Sequence, residues 1–132
     1  MKHMKRIIKS FYLLLWRCVN APSLWLNHVA LEKRVSIRGR LYLKTIGRKE
    51  KHSIYIGNNV NINSCLSANP IGGQNKTILY TNGAGRICIE DGVGISNSAI
   101  VSHTSIRIGA QTIIGNGTRI YAQTVKQCIQ SI

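Results

Sequence analysis

Four histidines, four cysteines and four carboxylates are the residues of this 132-residue chain that could move a proton or hold a metal. An imidazole titrates near neutrality, so a histidine within hydrogen-bond reach of a hydroxyl can act as its general base. His3 stands in a basic N-terminus, His28 near the end of an expected helix, and His52 in a charged turn. His103 sits at an outward corner beside Thr104 and is the candidate base; a solvated corner histidine is the competing reading. No carboxylate is close enough in the chain to orient it. Cys18, Cys65, Cys88 and Cys128 form no CxxC pair, which fits reduced thiols. No metal cluster is expected.

A short-period repeat must position these groups. Aliphatic residues open units at Ile108, Ile114 and Ile120, and a threonine stands four places after each. The same hexads run from Ile56 and Ile62, break over residues 68–86, and resume at Ile89, Ile95 and Val101, with Arg107 as one extra residue. Helices repeat at 3.6 residues and strands at 2, so a period of six means short strand, corner, short strand. The first and fifth positions point inward, and the Gly, Asn and Asp between them turn corners. Three sides make an 18-residue coil, here 89–106 and then 108–125, and stacked coils bury one aliphatic column. In this frame Ile100, Ile106 and Ile113 face outward, which favours burial between subunits and a homotrimer.

The repeat "I-G-x-x-[VAST]-x" resembles the hexapeptide-repeat acyltransferases. "IGNNVNIN", "IEDGVGISNSAIVSHTSIRIGAQTIIGNGTRIY" and "NPIGG" look like the branch that acetylates sugars of surface polysaccharides and lipopolysaccharides. The likeness covers about residues 54–121. It implies a left-handed parallel β-helix, here of about four coils, assembled as a trimer with active sites between neighbouring subunits. It also implies acetyl-CoA as donor, a sugar hydroxyl as acceptor, a histidine base, and backbone N–H groups that stabilise the oxyanion. In that family an asparagine eleven residues before the aliphatic that opens an I-G hexad orients the acceptor. Asn97 holds that place before Ile108, with Ser96 and Ser98 beside it. A corner residue satisfying backbone groups is the alternative for Asn97.

In that family the base follows the strand matching "TRIY", in a "Y-D-T-D-x-H"-like stretch. This chain reads "IYAQTVKQCIQSI" and holds no histidine after His103. The departure implies a truncated, inactive chain; the alternative is a non-catalytic β-helix partner subunit. One nucleotide inserted into a synonymous coding of the tail restores "D-T-D" after Tyr121, so a shifted frame is expected over 122–132.

A basic amphipathic helix is expected within residues 1–23, an irregular segment with the first strands over 24–55, and the repeat over 56–125. Ile7, Ile8, Phe11, Leu14 and Leu15 recur at helical spacing over 4–18, among Lys5, Arg6, Lys9 and Arg17, until Pro22 breaks the helix. That is the pattern of a helix in a membrane interface, or of one packed on the solenoid's open end. The run Phe11–Trp16 is too short to span a bilayer, and no secretory signal is expected, because Arg17 interrupts the run and no A-x-A site follows. The expectation is a cytoplasmic protein with peripheral contact at the membrane's inner face. The net charge of +14 is uneven: residues 1–51 carry 13 Lys/Arg against Glu32 and Glu50, a net +11. Without a zinc, RRM or helix-turn-helix pattern this charge does not point to nucleic acid.

Overall fold

Ile87 and Ile89 are buried while Arg86 and Cys88 beside them are not, and this alternation makes the segment a strand. Similar short stretches recur along the computed structural model, which describes residues 1–65 and 76–123. They are β1 (Ala30–Leu31), β2 (Ser36–Gly39), β3 (Tyr42–Ile46), β4 (Ile54–Ile56), β5 (Asn61–Ser64) and β6 (Ile78–Asn82). β7 (Arg86–Ile89), β8 (Gly94–Ser96), β9 (Ala99–Ser102), β10 (Ser105–Ile108), β11 (Ile113–Ile114) and β12 (Arg119–Ala122) follow.

Each strand pairs in parallel with the third one after it. The first sheet runs β1-β4-β7-β10, the second β2-β5-β8-β11, and the third β3-β6-β9-β12. The chain thus visits three faces in turn and comes back one strand further along, as a parallel β-solenoid. Pairing stacks like on like: Ile56 with Ile89 and Ile108, Ile62 with Ile95 and Ile114, Leu79 with Ile100 and Ile120. Of these, Ile56, Ile62, Leu79, Ile89, Ile95 and Ile100 are at most 1% exposed. Each such side chain contributes about 1.5–3 kcal/mol by leaving water.

The expected frame is displaced at one corner. Ile100 and Ile106 are buried in the core, and only Ile113 of the three residues expected outside stands out, at 84% exposure. Ile89 pairs with Ile108, nineteen positions on, as the frame with one extra residue has it, but Ile120 pairs with Ile100, twenty back, where that frame put Val101. The Asn97–Ser98 corner is one residue shorter than its counterpart in the next coil: Ile95 to Ala99 is four positions, and their partners Ile114 and Arg119 are five apart. Arg107 is an ordinary outward position of β10 beside Cys88. Asn97 makes this tighter corner with a left-handed backbone, φ +42°. The expected interruption at 68–86 also contains regular structure, because β6 lies within it as an inner strand of the third sheet. Residues 66–75 lie outside the described residues, as do 124–132 of the non-repeat tail.

The helix α1 (Lys2–Leu26) continues through Pro22 rather than breaking there. Hydrogen bonds anchor it on both sides of the proline. Asn20 is 1% exposed; its Nδ2 donates to the Gly39 carbonyl at 2.9 Å, and its Oδ1 accepts from the Leu41 N–H at 2.9 Å. Asn27 Oδ1 accepts from the Thr45 N–H at 3.1 Å and its hydroxyl at 3.0 Å. A proline inside a helix costs about 3 kcal/mol, and these contacts with the β2–β3 region offset it. Gly39 is required at this junction: its φ is +83°, and a Cβ there would lie 2.1 Å from the Ser64 carbonyl oxygen. Among the described residues no helix is long and apolar enough to cross a membrane.

Candidate functional site

The corner between β8 and β9 holds the three residues expected to meet the acceptor. Asn97 is fully buried. Its backbone N–H donates to the Asn63 carbonyl and its carbonyl accepts from the Gly117 N–H, so the corner is part of the inter-coil ladder. Its Nδ2 lies 3.3 Å from the Cys65 carbonyl and 3.4 Å from Asn116 Oδ1. Its Oδ1 is buried with no hydrogen-bond partner among the described residues. The Asn97 side chain therefore turns into the corner, in the manner of the backbone-satisfying alternative. Ser98 is also fully buried, with one hydroxyl proton shared between the carbonyls of Ser96 at 2.8 Å and Gly115 at 2.9 Å.

Ser96 is the accessible member of the three. It lies on the outer row of the second sheet, in register with Asn63 and Arg38. Asn63 Nδ2 donates to its hydroxyl at 3.2 Å. Arg38 and Asn63 also line a polar cleft of about 280 Å³ with Lys9 of α1, Ser36 and Asn61. Two cations and two carboxamides facing one cleft suit a hydroxyl-rich or anionic ligand. Sequence reasoning missed Arg38, Asn61 and Asn63. The position of Asn63 after an inward Ile62, like that of Ser96 after Ile95, was the available signal.

Thr77 ties the coils beneath this corner. Its hydroxyl donates to the Asn63 carbonyl at 2.7 Å and its N–H to Ser64 Oγ at 2.7 Å.

His103 occupies a different corner, between β9 and β10. It is exposed, its N–H donates to the Ala122 carbonyl at 2.7 Å, and its ring lies 6.1 Å from that of Tyr80. Asn97 and His103 flank opposite ends of β9, on the order of 15 Å apart along the strand. One chain does not bring them together. Among the described residues no carboxylate pairs with His103. Glu50 is ion-paired with Arg86 and Glu90 with Arg107, while Asp91 Oδ1 accepts from the Asn58 N–H at 2.7 Å.

The shifted titrations lie on the first sheet, away from both corners. Partial burial, then the charges of Glu32, Asp91 and Cys88, raise the Tyr55 phenol above its ordinary value. The Glu90 hydrogen bond and charge raise the Arg107 guanidinium. His28 and His52 meet through His52 Nδ1, 2.6 Å from the His28 carbonyl. His3 is exposed on α1. Among the described residues no His, Cys, Asp and Glu group is arranged to hold a metal.

Comparison with family profiles, with curated proteins and with solved structures finds no match to this chain.

Proposed function

We propose that this chain is a left-handed β-helix of about four coils, of the hexapeptide-repeat acyltransferase type. Its lineage transfers an acetyl group from acetyl-CoA to a sugar hydroxyl in surface polysaccharide or lipopolysaccharide synthesis. The observation that supports this best is the join between repeat and topology: the I-G-x-x-[VAST]-x hexads coincide with strands that pair every third element in parallel. In this reading Ser96 and Asn63 meet the acceptor, while Asn97 and Ser98 position the corner that holds them. Trimer formation and the cytoplasmic setting follow from the resemblance and the donor. Ile100 and Ile106 are buried within the chain, so of the three isoleucines Ile113 is the one whose exposure favours the trimer.

This chain is proposed not to perform the transfer itself. Among the described residues no carboxylate orients His103, and it lies across β9 from Asn97. Loss of a general base typically costs 10²–10⁴-fold. The second reading, a non-catalytic β-helix that assembles with partner chains, draws on that same geometry.

Two measurements test these readings. Thiol release from acetyl-CoA should stay at background, and His103→Ala should change nothing. Robust turnover abolished by His103→Ala would overturn the inactive reading. Equilibrium binding of CoA then separates the classes: saturable binding supports the acyltransferase lineage, and none at millimolar CoA favours the assembly subunit.

A further inference from the structure

The helix α1 is held to the solenoid through Asn20 and Asn27, with Leu24 packed against the core, and a second apolar face is turned outward. Asn20 and Asn27 lie two turns apart on the docked face, where Leu13, Trp16 and Leu24 are half-buried. The opposite face carries Ile7, Phe11, Leu15, Trp25 and Leu26, all between 51% and 75% exposed. This apolar stripe runs nearly the full 25 residues of the helix. A stripe of that size in contact with water marks an interaction surface.

The charge selects what covers it. α1 carries Lys2, Lys5, Arg6, Lys9 and Arg17 and no acidic residue. A second copy of the helix would bring ten cations together without a counter-charge. An anionic lipid surface supplies apolar depth and negative charge at once. The cleft beside the helix has the same character. Its volume is about 360 Å³, and it is lined by Leu13, Leu14, Leu24 and Val35 together with Arg17 and Arg34.

We propose that the outward face of α1 is a docking surface for an anionic phospholipid bilayer, on which the helix lies flat and carries the solenoid. The helix does not span the membrane; its apolar stripe enters the interface, and the lysines and arginines lie on the other side of the helix, Lys9 and Arg17 toward the solenoid, where their charge acts on the anionic surface from the water side. Docking through Asn20 and Asn27 keeps the stripe pointing away from the protein. The inference does not depend on acetyl transfer and is read out without it.

The test uses the intact chain and phosphatidylcholine vesicles with or without about 30% phosphatidylglycerol. Each basic residue near the surface strengthens partitioning roughly five-fold. Co-sedimentation with the anionic vesicles should therefore be at least about tenfold stronger. A Phe11→Asp/Leu15→Asp variant, with both changes on exposed positions, should keep its circular dichroism spectrum and lose binding. A Lys5→Gln/Lys9→Gln variant, which leaves the apolar stripe intact, should lose the preference for anionic vesicles. Equal binding to both vesicle types, undiminished binding by a folded Phe11→Asp/Leu15→Asp variant, or an unchanged preference in Lys5→Gln/Lys9→Gln would overturn the proposal. So would a dimer in lipid-free solution that the Phe11→Asp/Leu15→Asp change dissolves, because that assigns the face to a second copy.

Discussion

The side chain of Asn20 holds Leu41 as a neighbouring strand would. In a parallel ladder one residue donates its N–H to the residue before its partner and accepts from the residue after it. The Asn20 carboxamide does the same around Arg40, donating to the Gly39 carbonyl and accepting from the Leu41 N–H. A helix residue thus stands in for the peptide unit of a preceding coil.

Removing that amide should be costly. Asn20→Ala leaves a buried donor and a buried acceptor unpaired, each worth about 1–3 kcal/mol. A loss of about 2–4 kcal/mol in denaturant unfolding is expected, against about 1–2 kcal/mol for Asn27→Ala, whose site is only half-buried. Equal, small losses would mean that the helix is not held through Asn20.

The corrected frame separates two isoleucines. Ile100→Ala should cost about 2–5 kcal/mol, the range for truncating a packed core side chain. Ile113→Ala should stay within about 0.5 kcal/mol, because that side chain is in water. Thermal or chemical denaturation of both variants checks the order; small losses for both would restore the frame in which both face outward.

Asn97 offers a conformational test. At φ +42° glycine is unstrained, whereas alanine pays about 1–2 kcal/mol. The carboxamide makes only two long contacts and leaves Oδ1 unpaired among the described residues. Asn97→Gly should therefore unfold within about 1 kcal/mol of the parent, and Asn97→Ala should be clearly less stable. A larger loss for glycine than for alanine would show that the side chain, and not the backbone, accounts for this corner.

Two glycines should answer oppositely to a methyl group. Gly39→Ala places Cβ against the Ser64 carbonyl in a left-handed conformation, so a loss of more than about 3 kcal/mol is expected. Gly94→Ala meets no atom within 4 Å, and its stability should change by less than about 1 kcal/mol. Melting curves of the two variants compare them directly.

The repeat was legible where alternation was clean. Ile56, Val60 and Ile62, and again Ile89, Val93 and Ile95, show inward positions through polar neighbours. It failed at Ala99-Ile100-Val101, where three apolar residues in a row carry no phase, and the buried polar pair Asn97–Ser98 reads as exposed. β6 was hidden because its flanks carry no hexad. The helix was legible as amphipathic, but amphipathicity says which side is apolar and not which side meets the protein. That choice depends on two long-range amide contacts, from Asn20 and Asn27. The candidate site was legible only as single residues: nothing in spacing alone places Ser96 outward, Asn97 inward, and His103 beyond the far end of β9.

The clamp at the helix has a consequence for how this architecture can vary. Asn20 and Asn27 touch Gly39, Leu41 and Thr45 chiefly through main-chain atoms, with the Thr45 hydroxyl as the exception. Such a joint reads the shape of the backbone and is nearly blind to side-chain identity. Given a glycine at the tight junction, the outward residues of the opening strands can drift without unseating the helix. The same helix could be transplanted onto any solenoid that offers a bare strand end of this curvature, carrying its exposed face with it as an interchangeable part.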